Sequence, residues 1–174
     1  MLPAMALFAV ACVPRAEMLR QSCNSGNMQD CVDLGDMYAA GRNVAKDGPR
    51  AAALFKQGCD SGEMRGCYQL AKTYATGDGV PKDEERGAML FQQMCDRGGM
   101  TGCMGLGEMY ATGRGVPKDE PRATAIFEQV CKSDSTISIV DGQNRPKDAA
   151  FLSTCVSGLM DSARAHKPSN PEPH

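Results

Sequence analysis

The chain has 174 residues, a net charge of −2, 5% aromatic residues and no Trp. That length allows one ordinary domain or a short repeat array. Lys and Arg are scattered rather than clustered, which excludes the basic patch that nucleic-acid binding needs. A core made of Leu, Met, Ala, Val and few rings is thin enough to gain from covalent staples.

The chain opens on an apolar, uncharged stretch, Leu2–Ala11, that leads directly into Cys12. It is too short to span a bilayer and fits the apolar part of a secretory signal, although no positive residues precede it. Ala9-Val10-Ala11-Cys12 is similar to a bacterial lipoprotein cleavage site, with Ala9 where a Leu is usual. The expectation is a leader over residues 1–12 with a lipid on Cys12. Secretion with another cleavage point, and a buried structural start, are the alternatives.

From residue 14 onward the cysteines set a ruler. Cys23, Cys59, Cys95 and Cys131 recur every 36 residues, and Cys31, Cys67 and Cys103 follow their partners by eight. A fixed period of this size is the signature of a solenoid of stacked units. The expected solenoid covers 13–165: a half unit over 14–30, full units over 31–66, 67–102 and 103–138, and a capping helix over 147–165. Pairing along the period predicts the bridges Cys23–Cys31, Cys59–Cys67 and Cys95–Cys103, with Cys131 left for Cys155. Cys12 is then the ninth cysteine, and a lipid on its sulfur removes a free thiol. Such stapling belongs to an oxidising compartment.

Each unit carries two helical patterns. In the second unit Cys67, Leu70, Ala71, Tyr74 and Ala75 fall on one helix face, and the first and third units repeat it from Cys31 and Cys103. Gly41, Gly77 and Gly113 are expected to end this A helix in the left-handed conformation. A loop follows (Gly79-Val80-Pro81-Lys82-Asp83 in the second unit), with Asp47, Asp83 and Asp119 at or beside the N-cap of a B helix. The B helix carries Phe55, Phe91 or Phe127. The first unit departs from the loop pattern with Asn43 and Ala45. Between units a tight turn holds Gly26, Gly62 or Gly98, followed by Met28, Met64 or Met100, which is expected to plug the gap between units. After Cys131 the period breaks: residues 132–146 read as an insertion, and residues 166–174 as a Pro-rich disordered tail.

These units (L-G-x-x-Y-x-x-G-x-G-V-x-K-D, then Ala, Phe and Cys) resemble the Sel-one-like repeat, a relative of the tetratricopeptide repeat. The Cys spacing is similar to the disulfide-rich Hcp-type branch, whose secreted bacterial members are often labelled β-lactamase-like. The resemblance implies an all-α, right-handed α/α superhelix whose A helices line a concave face. It also implies adaptor-type protein or peptide binding, with β-lactam binding and weak hydrolysis as the alternative. No Ser is followed three residues later by Lys, and the only histidines, His166 and His174, lie in the tail. No Cys-x2–4-Cys pair suggests zinc or a redox motif. Catalytic residues, metals and cofactors are accordingly expected to be none.

Three ladders and one face remain. Tyr38, Tyr74 and Tyr110 are expected to pack between helices with their hydroxyls at the rim. Lys46, Lys82 and Lys118 read as a solvated edge, and Arg50, Arg86 and Arg122 as partners for acids of the same or the next unit. The outward positions of the A helices, Asp33, Asp36, Met37, Gln69, Lys72, Thr73, Gly105, Glu108 and Met109, differ between units while the packing positions repeat. That is the expected binding face of a monomer exported to the periplasm or beyond, with a partner that is a protein or peptide, not a nucleic acid. The membrane tether, where present, is the lipid on Cys12.

Overall fold

The computed structural model describes residues 14–133 and 149–165, and they hold eight α-helices and no strand. In chain order these are α1 (Arg15–Asn24), α2 (Met28–Ala40), α3 (Gly48–Asp60), α4 (Met64–Thr76), α5 (Glu84–Asp96), α6 (Met100–Thr112), α7 (Glu120–Ser133) and α8 (Ala149–Ala165). The A helices are α2, α4 and α6, and the B helices α3, α5 and α7. Each helix packs on its chain neighbours, α8 reaches back to α6 as well as α7, and α2 touches α4. The result is an all-α solenoid of helical hairpins, opened by the lone B-type helix α1 and closed by α8. The expected leader, the lipid site at Cys12, the insertion beyond Ser133 and the tail fall on residues 1–13, 134–148 and 166–174, which lie outside the described residues.

Local chemistry explains each boundary. The carboxylates of Asp47, Asp83 and Asp119 each accept a hydrogen bond at 2.9 Å from the backbone N–H of Arg50, Arg86 and Arg122. Each satisfies an otherwise orphaned donor at the start of a B helix, an effect of about 1 kcal/mol. The A helices end at Gly41, Gly77 and Gly113 with φ of 66°, 75° and 75°, where a side chain would be strained. The irregular loop of the first unit keeps the same backbone by another route. Asn43 takes φ 58° where the later loops use Gly79 and Gly115, and Asn is among the few side chains that tolerate this region.

The core runs as two adjoining apolar clusters along the array. One gathers Leu34, Tyr38, Phe55 and Leu70, the other Phe91, Leu106, Tyr110 and Phe127. Small residues set the distance between helices. A side chain at Gly35 or Gly107 would run into the ring of Phe55 or Phe127. Met64 packs partly buried against the second cluster, with its methyl group against Gly99.

Four disulfides cross the seams. Cys23–Cys31, Cys59–Cys67 and Cys95–Cys103 each tie the end of one B-type helix to the first turn of the next A helix, with Cα atoms 4.7, 4.4 and 4.5 Å apart. Cys131–Cys155 ties α7 to α8 at 6.2 Å. The turn between the cysteines is closed by Gly26, Gly62 or Gly98, all at positive φ.

Candidate functional site on the A-helix face

The exposed strip of each A helix is narrow, because that helix is covered by its own B helix and by the preceding one, with α2 also touching α4 and α8 packing on α6. Met37 and Met109, expected to point outward, are instead buried at 6% and 2% exposure. The correction has a simple cause. Each stands three residues beyond the core Leu, on the adjoining side of the helix, so it widens the apolar arc instead of leaving it. Thr73, the equivalent residue of α4, is half-buried and donates its hydroxyl to Gln69 O at 2.7 Å. Gly105 is half-buried beside the Phe91 ring. Asp33, Asp36, Gln69, Lys72 and Glu108 are the members of the set that reach the surface strip.

Two regions follow along this strip. At the α2/α4 seam, Arg65 bridges Asp33 and Asp36 with its two terminal nitrogens. Gln69 Nε2 donates to Asp36 Oδ1 at 2.6 Å. Both carboxylates are thereby committed to α4, and the seam is a closed polar lock. Beyond it, α4, α6 and α8 enclose a groove of about 470 Å³. Its apolar wall is made of Tyr68 and Met104, 37% and 41% exposed. The Tyr68 ring leans on Phe91, with centroids 5.9 Å apart and planes tilted by 58°, a favourable aromatic arrangement. Phe127 and Leu159 line it from α7 and α8.

Arg114 builds the polar rim. It donates from Nε to Glu84 at 3.0 Å and from Nη2 to the carbonyl of Ala75 at 3.1 Å, and it pairs with Glu108 at 3.5 Å. It therefore joins the end of α4, the start of α5 and the middle of α6. Burial pushes the Glu84 carboxyl up, but hydrogen bonds from Lys82 and Arg114 outweigh it and hold the group below the usual carboxylate range. Lys72, exposed on the same rim, makes no ion pair with any described residue.

The side-chain ladders are structural. Arg50, Arg86 and Arg122 lie over the rings of Tyr38, Tyr74 and Tyr110, with 5.0, 5.2 and 4.5 Å from guanidinium to centroid, a cation–π contact. Acids of the same unit also attract two of them, Asp47 to Arg50 at 3.4 Å and Asp83 to Arg86 at 3.5 Å. The Tyr38 hydroxyl accepts from Arg50 and Arg20, both at 3.1 Å, and those bonds lower its pKa. Lys46, Lys82 and Lys118 pair with Asp78, Glu84 and Glu120 at 3.1, 2.9 and 2.8 Å on the exposed loop edge.

Arg65, Tyr68, Met104 and Arg114 were not foreseen as site residues. The signal was in the period: positions 29, 65 and 101 read Gln, Arg, Thr; 32, 68 and 104 read Val, Tyr, Met; and 42, 78 and 114 read Arg, Asp, Arg. Among the described residues no cluster of His, Cys, Asp and Glu could hold a metal ion, and no helix is long and apolar enough to cross a membrane.

Solved structures share this fold. A protective antigen of uropathogenic Escherichia coli with an SLR fold superposes with a TM-score of 0.67 at 23% identity, over 84% of this chain. This chain spans only 33% of that longer protein. A Sel1 repeat protein from Oxalobacter formigenes gives 0.56 at 24% identity, over 68% of this chain and 90% of its own. Cysteine-rich protein B of Helicobacter pylori gives 0.53 at 22%, over 70% and 92%. No curated protein matches the sequence. The Sel1 repeat model matches residues 30–63, 65–99 and 101–135, more than half of the sequence, and the chain belongs to the Sel1 repeat family.

Proposed function

We propose that this chain is an exported scaffold that binds a protein or peptide partner on its A-helix face. One observation carries the reading. On a frame whose packing residues repeat, other A-helix positions change from unit to unit, and where buried Val32 gives way to exposed Tyr68 and Met104 these two wall a groove of about 470 Å³. That size lies in the range of binding pockets, and exposed aromatic and Met side chains are enriched in interfaces. The four disulfides support work in an oxidising compartment such as the bacterial envelope. In the same reading Cys12 carries the lipid that tethers the scaffold, and the protein acts as a monomer by binding, not turnover.

The test is photo-crosslinking in the native host. Benzoylphenylalanine replaces Tyr68 in one variant and Met89, 53% exposed on α5 and outside the groove, in another. A discrete adduct from the Tyr68 position alone is expected. Equal adducts from both positions, or none, would sink the assignment of the face. Nitrocefin turnover that titrates with purified oxidised protein would instead favour the β-lactam reading.

A further inference from the structure

Resting on the reading of the A-helix face as the docking surface, we infer that the groove takes an extended protein segment carrying an apolar side chain and a side-chain carboxylate two residues apart. The apolar half follows from exposure. Among the described residues the exposed large hydrophobics are Met18, Tyr68, Met89 and Met104, and Tyr68 and Met104 stand at equivalent positions of adjacent A helices, on one groove wall. The equivalent residue of α2, Val32, is fully buried, so this apolar step exists only where the groove does.

The acidic half follows from charge. One turn further along each A helix the period places Asp36, Lys72 and Glu108. Asp36 is committed to Arg65 and Gln69, and Glu108 is held by Arg114. Arg114 is itself engaged by Glu84, Glu108 and the Ala75 carbonyl and is only 18% exposed. Lys72 is left as the charge on this rim without a partner among the described residues, and complementarity selects a carboxylate for it.

Spacing joins the two halves. Tyr68 and Lys72 are four residues apart on α4, about 6 Å along the axis. In an extended chain, residues two apart project to the same side about 6.7 Å from each other. An apolar–x–acidic segment laid along α4, in either direction, therefore sets its apolar side chain against Tyr68 and Met104 and its carboxylate at Lys72.

Fluorescence anisotropy with the disulfide-intact full chain tests this. The probes are acetylated, amidated, fluorescein-labelled hexapeptides with a Phe-Gly-Glu centre, its Phe-Gly-Gln counterpart, and a Phe-Glu centre that aims the carboxylate to the opposite side. The Phe-Gly-Glu probe should bind about fivefold more tightly than the other two, the upper range for an exposed ion pair. Lys72→Met should abolish that preference, so that the Phe-Gly-Glu and Phe-Gly-Gln probes bind it alike, and Tyr68→Ala should weaken all three. Equal binding of all three probes, a preference that survives Lys72→Met, or no binding up to about 1 mM would overturn the inference. If photo-crosslinking at Tyr68 still traps a partner, only the motif falls. If it traps none, the docking face falls as well.

Discussion

The same substitution, Gly to Ala, should act in opposite directions at two helical positions. In a helix interior alanine is favoured over glycine by about 1 kcal/mol. At Gly158, in α8, an added Cβ meets nothing within 4 Å, so Gly158→Ala should stabilise by up to that amount. At Gly66, in α4, the added atom would lie 2.9 Å from the backbone nitrogen of Cys59, 3.0 Å from the carbonyl oxygen of Phe55 and 3.1 Å from the carbonyl carbon of Gly58. These are backbone atoms of α3, and the Cys59–Cys67 bond pins the two helices together beside them. Ordinary contact begins at 3.4 Å, so the helices would have to part by roughly half an ångström. Overpacking of this kind costs about 1–3 kcal/mol and outweighs the propensity gain. The two variants should therefore differ by about 1–3 kcal/mol, the overpacking cost itself. Urea unfolding of the oxidised protein, followed by far-ultraviolet circular dichroism, should separate their midpoints by about 0.5–1.5 M at a slope of about 2 kcal/mol/M. A Gly66→Ala midpoint at or above that of the parent would refute the claim that backbone contact sets the distance between units.

Two further outcomes concern the bridges and acid. In the chain-entropy picture, deleting Cys131–Cys155 by double Ser substitution, which opens a 24-residue separation, should cost about 3.4 kcal/mol. Deleting Cys95–Cys103, with a separation of 8, should cost about 2.5 kcal/mol. The same urea titration measures both, and a reversed order would contradict loop closure as the source of the stabilisation. Glu84 titrates below its ordinary value in the folded chain. Its contribution is therefore fully present above the unfolded-state value of 4.5 and is lost as pH falls through the lower folded value. Glu84→Gln should lower the urea midpoint at pH 7 and make the decline as pH falls below 4.5 shallower, and an unchanged acid limb would show that the Arg114 rim adds nothing to stability.

The helical framework was legible because one pattern is written three times. Gly77 and Gly113 mark helix ends, Asp83 and Asp119 mark helix starts, and the position of each cysteine in its helix is constant. Even the irregular loop was readable as a departure, although its equivalence came only from the backbone: Asn43 adopts the conformation that Gly79 and Gly115 supply elsewhere. The binding strip was less legible. A single stripe at helical spacing describes a helix packed on one side, whereas an A helix is packed on several, so Met37 and Met109 were assigned to the wrong environment. Long reach was the other obstacle. Arg65 acts on α2, and Arg114 acts on α4 and α5. Periodicity shows which residues break the series but not where a guanidinium extends. The Arg–Tyr stacking was hidden for the same reason, since both ladders were visible but their mutual distance was not.

The placement of the disulfides shifts the covalent units by half a repeat from the written ones. Sulfur joins α1 to α2, α3 to α4 and α5 to α6, each across a turn, and it also joins α7 to α8. The loops inside the hairpins, between α2 and α3, α4 and α5, and α6 and α7, have only the main chain. A protease that nicks a turn such as Ser61–Glu63 leaves its two helices bonded and the array intact. One that cuts the loop at 78–82 severs it into pieces that each begin or end on a sulfur-linked pair. Durability in a protease-rich surrounding thus rests on those three loops.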